Sequence, residues 1–274
     1  MNADIPYARF LTVCQQAARL GGAVLMDWRD RFTAREKSPR DLVTEADLAS
    51  QLAIQKLLSE EFPEHRFVGE EECPADSGLQ SHQNFSSAYR WIVDPLDGTA
   101  NYVHGMPNWA VSIALAHHDQ ILVGTVFDPI LNECFSAVRG GGAWLNDRPL
   151  QTSRCRVLSQ AMIAASFAAS VPRGSPEITR FVEMLHECQS IRRLGSCALN
   201  LCYVAAGRLD GYWATAVKSW DAAAGILIVE ESGGVVTNLR GGPLDLERPE
   251  LLASATPELH DCARHVLARA ESSS

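Results

Sequence analysis

The segment Arg90 to Gly105 reads RWIVDPLDGTANYVHG and sets two aspartates, Asp94 and Asp97, three positions apart directly after a short apolar run. Trp91 to Val93 have the composition of a buried strand end, and Pro95 fixes the backbone in an extended-to-turn bend immediately after Asp94. Asp94 and Asp97 then lie one turn apart and point at one spot. The carbonyl of Leu96 between them is free to face that spot, because a turn leaves carbonyls unpaired. Two carboxylates and a carbonyl are hard oxygen ligands and suit magnesium rather than zinc. Gly98 and Thr99 follow, where backbone N–H groups at a helix start can cradle a phosphate. A competing reading makes the stretch an Asp-Pro turn with Asp97 as a helix N-cap. A sharper rival is the D-x-D-G-T motif of phosphatases that form an aspartyl-phosphate, in which nucleophile and acid stand two residues apart. Here the spacing is D-x-x-D-G-T, and a proline occupies the place where a nucleophilic loop needs an amide. The extra residue disfavours covalent catalysis.

Other carboxylates occur where chain topology can bring them to the same place. Glu70 and Glu71 follow VG at the end of an expected strand, and Asp221 opens a helix in WDAAAGILIVEESGG. Each has a plainer alternative. Glu70, Glu71 and Glu72 read equally as a solvated acidic run, Asp221 as an ordinary N-cap, and Thr44 with Asp47 in DLVTEAD as a capping box that starts a helix.

The elements that position these residues can be placed from periodicity. Phe10, Val13, Ala17, Leu20, Val24 and Trp28 recur every three or four residues and mark an amphipathic first helix. A second runs from about Glu45 to Phe62, with Ile54, Leu57, Leu58 and Phe62 on its buried side. Strands are expected at Arg66 to Val68, Arg90 to Val93, Trp109 to Ala116 and Gln120 to Phe127, with a hairpin at GGGAWLNDRPL. After SRCRVLSQ the pattern changes to strands at Ala161 to Ser166, Ser190 to Leu194, Gly211 to Ala214 and Gly234 to Thr237. Helices are expected there at Ala198 to Ala206, Ala222 to Glu231 and Pro257 to Ala270. The expectation is one compact α/β (α+β) domain over residues 1–274, with lobes at about 1–155 and 156–274. Because no Pro- or Gly-rich linker separates them, the lobes should form one rigid body with the site in the cleft between them.

Composition limits the function further. A chain of 274 residues with 46% hydrophobic content can bury a sizeable core. Its net charge of -9 argues against binding nucleic acid over a broad surface. No apolar run is long enough to span a membrane, and the N-terminus lacks the marks of a secretory signal. The eight cysteines contain no C-x-x-C pair and read as reduced residues of a cytoplasmic protein. The eight histidines are dispersed and give no zinc spacing.

Taken together and in order, DLVTEAD, the GEE after a strand, WIVDPLDGTANYVHGMP, GGGAWLNDRPL, RRLGSCALNLCYVAAGRLDGYW and WDAAAGILIVEESGGVVTN resemble the inositol monophosphatase family of magnesium-dependent, lithium-sensitive phosphatases. The motifs cover the chain from about Lys37 to Asn238. The resemblance implies a layered αβαβα sandwich, two to three Mg2+ ions in the cleft, a small phosphorylated polyol or sugar as substrate, and a homodimer. It assigns Glu70, Asp94 and the Leu96 carbonyl to a first metal, and Asp94, Asp97 and Asp221 to a second. Glu70 also helps hold a weaker third. Asp47 and Thr99 match the pair that orients the attacking water. Gly98, Thr99 and Ala100 would present amides to the phosphate, with Ala100 standing where many relatives carry threonine. Gly195, Ser196 and Cys197 fall where relatives line the organic half of the pocket, and Ala214 stands where a glutamate commonly contacts the inositol ring. Histidinol-phosphate, 3'-phosphoadenosine 5'-phosphate and fructose-1,6-bisphosphate phosphatases share the metal motifs, and a catalytically silent binding protein of the same fold is a further alternative. Such a carboxylate cluster makes physical sense only with cations bound, since each pair of charges ~4 Å apart would repel by about 4 kcal/mol at an effective dielectric of ~20.

Overall fold

The computed structural model describes residues 6–38, 41–71, 87–247 and 249–272. Helix α1 (Tyr7–Trp28) buries Phe10, Val13, Cys14, Ala17, Ala18, Gly21, Gly22 and Leu25. The buried stripe is rotated from the expected one, leaving Leu20 exposed. Small residues set this seam. A Cβ on Gly21 would lie 2.6 Å from Ile54 Cδ1, and one on Gly22 would lie 2.8 Å from the Phe127 ring.

A two-stranded ribbon absent from the sequence reading, β1 (Ala34–Ser38) with β2 (Asp41–Thr44), leads into α2 (Glu45–Glu61). Strand β3 (Arg66–Gly69) pairs in parallel with β4 (Tyr89–Asp97). After the short helix α3 (Thr99–Val103), the chain continues as an antiparallel meander. Its strands are β5 (Ala110–His117), β6 (Gln120–Asp128), β7 (Glu133–Val138), β8 (Gly142–Leu145) and β9 (Arg148–Pro149), which complete a seven-stranded sheet. Alternation along β5 divides its two faces. Val111, Ile113 and Leu115 join the core under α1 and α2, while Ala110, Ala114 and Ala116 join a second core on the other side.

The rest of the chain builds a five-stranded sheet. In chain order it contributes β10 (Met162–Ser166), α4 (Pro176–Glu187), β11 (Ser190–Arg192), α5 (Cys197–Ala205), β12 (Gly211–Ala214), α6 (Ser219–Glu231), β13 (Val235–Thr237), β14 (Leu251–Ser254) and α7 (Pro257–Ser272). The strand order is β11-β10-β12-β14-β13. Helices α5 and α6 are apolar nearly all round and fill the space between the sheets, as expected of helices buried on both sides. Their fit against the first sheet needs Gly124, where a Cβ would stand 2.9 Å from the Ala224 backbone. Met184 of α4 and Leu259, Ala263, Val266 and Leu267 of α7 cover the outer face of the second sheet, over Trp213 and Leu252. The layers therefore run helix, sheet, helix, sheet, helix: the αβαβα sandwich. Among the described residues, no helix is long and apolar enough to cross a membrane.

Candidate active site

The local geometry at Asp94 differs from the turn expected from sequence. Strand β4 continues through Pro95 to Asp97, and its register against β5 shifts by one residue, from Asp94↔Ser112 to Asp97↔Ala110. In a regular strand, residues an odd number of positions apart face opposite sides. One extra residue cancels that alternation, so the bulge, rather than a turn, sets both carboxylates on the same side. Proline is tolerated there because a bulge leaves an amide out of the ladder. The Leu96 amide donates to Asp94 Oδ1 at 2.9 Å, and the Leu96 carbonyl accepts the Thr99 hydroxyl at 3.1 Å. Gly98 then turns the chain into α3 with φ of 95°. Gly98 therefore takes the N-cap place that the competing reading gave to Asp97.

Asp221 arrives on the first turn of α6, where its Oδ2 accepts the Lys218 amide at 2.7 Å. It caps from inside the helix, so the plain capping reading holds in part. One oxygen from each of Asp94, Asp97 and Asp221 lies within 4.8 Å of the others. Glu70, at the end of β3, is on the wall of the same cavity, its amide bonded to the Val93 carbonyl at 3.1 Å. Glu71 is turned to α2, where Gln51 bonds both its amide, at 2.9 Å, and its carbonyl, at 2.6 Å. Glu72 lies outside the described residues.

Burial and mutual repulsion govern the charge state of this group. Burial pushes Asp94 well above the usual carboxylate range, and the charges of Glu70, Asp97 and Asp221 push it further. Burial raises Asp97 to about 6 against the opposing hydrogen bonds from Ser196, Ala198 and Cys197. Burial raises Asp221 to about 7, reinforced by the charge of Asp97 and opposed by the Lys218 amide. Carboxylates so disposed hold their protons to higher pH than ordinary ones, and a bound cation would displace them. The donors are all oxygen, anionic or carbonyl, and fit magnesium.

Asp47 divides its two oxygens between two tasks. Oδ2 accepts the Thr44 amide at 2.9 Å and the Thr44 hydroxyl at 2.6 Å, the capping box expected at the start of α2. Oδ1 lies 3.3 Å from the Thr99 hydroxyl. Fully buried, Asp47 stands behind Thr99 rather than on the cavity wall.

The cavity measures about 980 Å³, at the upper end of small-molecule sites. Gly98, Thr99, Ala100, Gly195 and Cys197 lie on its wall. Ser196 does not: it is fully buried, with its hydroxyl bonded to Asp97. Ala214 is also withdrawn from the wall, buried in the core between the sheets at the end of β12, and the wall resumes at Thr215 and Ala216. The sequence reading left out Phe167, Arg193 and Lys218, which also line the cavity, Lys218 directly beside Asp221. Arg193 was visible as a cation beside the glycine of RRLGSC; Phe167 lay in a loop without a motif.

Comparison with known proteins identifies the family and the fold. The family model described as "Inositol monophosphatase family" matches residues 8–272. The Nus factor SuhB of Pasteurella multocida is 41% identical over 249 residues, covering 89% of this chain and 91% of its own. The inositol-1-monophosphatase of Rhizobium meliloti is 40% identical over 220 residues, covering 77% of each. The crystal structure of the extragenic suppressor protein suhB from Bartonella henselae superposes with a TM-score of 0.87 at 36% identity, covering 94% of this chain and 98% of that one. The chain belongs to the inositol monophosphatase family.

Proposed function

We propose that the protein is a magnesium-dependent hydrolase of small phosphate monoesters, acting on a phosphorylated polyol or sugar by direct attack of water. The observation that carries this reading is the convergence of Asp94, Asp97 and Asp221 from two distant parts of the chain onto one spot, beside the Thr99–Asp47 pair. A solved structure of the same fold, the IMPase/NADP phosphatase complexed with Mg2+ and phosphate, supports the choice of ion and reaction. It is 27% identical, with a TM-score of 0.77 and coverage of 89% of each chain. A structure of SaIMPase-II bound to inositol monophosphate, 26% identical with a TM-score of 0.79 and covering 97% of this chain, supports the substrate class.

Glu70, Asp94, the Leu96 carbonyl, Asp97 and Asp221 would hold two to three Mg2+ ions. Bound magnesium supplies Lewis acidity, which makes water more acidic and offsets charge on the ester oxygens. The chain's own residues then have defined tasks. Thr99 Oγ1 has one hydrogen and two acceptors in reach, Asp47 Oδ1 and the Leu96 carbonyl. When that hydrogen points to Asp47, a lone pair of Oγ1 is left to take the proton of an attacking water as Oγ1 passes its own to Asp47 Oδ1, and Asp47 keeps the hydroxyl so oriented. The first-turn amides of α3 have no intrahelical acceptor and stand on the cavity wall, available to a phosphate oxygen. Arg193 and Lys218, also on the cavity wall, would draw an anionic ester into an otherwise acidic cleft.

Phosphate release from inositol, histidinol, sugar and nucleotide phosphates, measured with Mg2+ and with chelator, tests the reading. The expected result is Mg2+-dependent turnover, highest on a polyol or sugar monophosphate. The relatives named Nus factor give a second reading, a binding protein without catalysis. It would be selected if the Mg2+-loaded protein released no phosphate from any member of the panel. The same proposal includes a homodimer, which sedimentation at micromolar concentration checks.

A further inference from the structure

Ser196 occupies a place where the sequence suggested a substrate contact, yet its side chain is fully buried. Its oxygen accepts the Leu199 amide at 3.1 Å, as the N-cap of α5. That acceptor duty fixes the oxygen, and its single hydrogen goes to Asp97 Oδ2. The same carboxylate takes the Ala198 amide on Oδ2 at 2.8 Å and the Cys197 amide on Oδ1 at 3.2 Å. A carboxylate has about four lone-pair directions, two on each oxygen. Both on Oδ2 are therefore filled from α5, as is one on Oδ1.

The segment that delivers these donors is itself anchored from the first sheet's side. Asn101 Nδ2 donates to the Leu194 carbonyl at 2.8 Å and to the Asn108 carbonyl at 2.7 Å, and Asn108 Nδ2 reaches the same Leu194 carbonyl at 3.1 Å. Gly195 follows with φ of 93°, and a Cβ there would lie 2.7 Å from Asn101 Nδ2. Only glycine suits both the left-handed backbone and that close approach.

We propose that Ser196 is a positioning residue acting through Asp97: with Ala198 it occupies Oδ2, so that Asp97 presents a single lone pair, on Oδ1, to a cation. A carboxylate gripped on one oxygen cannot swing to chelate or turn away, and so the metal geometry is set by α5 rather than by β4 alone. Asn101, part of the NYVHG motif, supports the arrangement from behind by holding Leu194. This rests on the reading of Asp97 as a magnesium ligand.

The test is titration calorimetry of Mg2+ into the metal-free full chain, paired with steady-state kinetics at saturating Mg2+. Loss of a hydrogen bond that orients a ligand typically weakens metal binding by roughly 10- to 100-fold. Ser196→Ala should show that loss, Ser196→Thr should stay near the parent, and KM for the ester should move by less than about threefold. A role in capping alone would lower the melting temperature in chelator without changing Mg2+ affinity. A substrate contact would raise KM with Mg2+ affinity unchanged. Either result, or equal weakening by alanine and threonine, overturns the proposal. Should Ser196→Ala fail to fold, Ser196→Cys keeps the volume with a weak donor; it should weaken Mg2+ binding, and parent-like affinity overturns the proposal. A parent chain that binds no Mg2+ would overturn the magnesium reading itself, which separates the two failures.

Discussion

Replacing Asp94 with asparagine separates what the carboxylate does for the fold from what it does for the ion. Asp94 is buried, with Asp97 and Asp221 oxygens within 4.8 Å. Two full charges at that separation repel by about 3.5 kcal/mol at an effective dielectric of ~20. The metal-free protein relieves part of this by holding protons more tightly, so Asp94→Asn should leave its stability in chelator equal to the parent's or higher. Magnesium reverses the order. At a concentration about 100 times the dissociation constant, binding adds about 2.7 kcal/mol to the parent. At about 2 to 4 °C per kcal/mol for a chain of this size, its Tm should rise by roughly 5 to 11 °C. Asp94→Asn should rise by less than about 2 °C and lose at least about a thousandfold in kcat/KM, since the amide brings no charge to the ion. Scanning calorimetry at neutral pH in chelator and in Mg2+, with phosphate release on the same samples, gives both numbers. A variant that gains as much Tm from Mg2+ as the parent, or turns over within a few-fold of it, would refute the assignment of Asp94 to the metal.

The same charge argument fixes the pH dependence of the metal-free protein. Because Asp97 and Asp221 are raised from about 4 to about 6 and about 7, the folded state holds more protons than the unfolded one across that window. Their contribution to stability in chelator should therefore be full below pH ~4 and be lost as pH rises to ~7, so that Asp221→Asn falls less than the parent between pH ~5 and ~7; thermal melts across that range check it. Thr99→Val should cut kcat/KM by about 10²- to 10⁴-fold while keeping most of the Mg2+-induced Tm rise, because it removes a proton path rather than a charged ligand. Hydrolysis in ¹⁸O-labelled water should place one label in the released phosphate, and acid-quenched protein should carry none; phosphate trapped on Asp94 or Asp97 would overturn direct attack. Gly124→Ala should destabilise by about 1 to 3 kcal/mol in denaturant titration, since its Cβ would meet the Ala224 backbone at 2.9 Å.

What could be read from sequence divides along a physical line. Helices α1, α2 and α7 announce themselves because their burial is periodic, and α5, α6 and most strands of the first sheet because they are continuous apolar runs; both signals are local. The ribbon of β1 and β2 does not, being short and, at Ala34 to Glu36, exposed. Helix α4, not among the expected elements, nevertheless carries a helical stripe, Ile178, Phe181, Val182 and Leu185 behind Pro176, yet Ile178, Val182 and Leu185 are at least 40% exposed and Arg180 and Met184 are its buried residues. β14 is four residues long and owes its place to pairing with β12 and β13 on either side.

The site follows the same division. Asp94, Asp97 and Asp221 could be nominated from residue type and spacing, but the device that aims the first two is a register shift against β5, which no property of RWIVDPLDG alone reveals. Asp47 shows why a local motif can be true and insufficient: Thr44 and Asp47 form the capping box, yet one Asp47 oxygen remains for Thr99, which lies in another element. Ser196 shows the converse. Its neighbours Gly195 and Cys197 reach the cavity wall, and in sequence all three look alike. Only the direction of one hydroxyl, set by the start of α5 and by the carboxylate it meets, separates a residue that touches the pocket from one that holds a ligand in place.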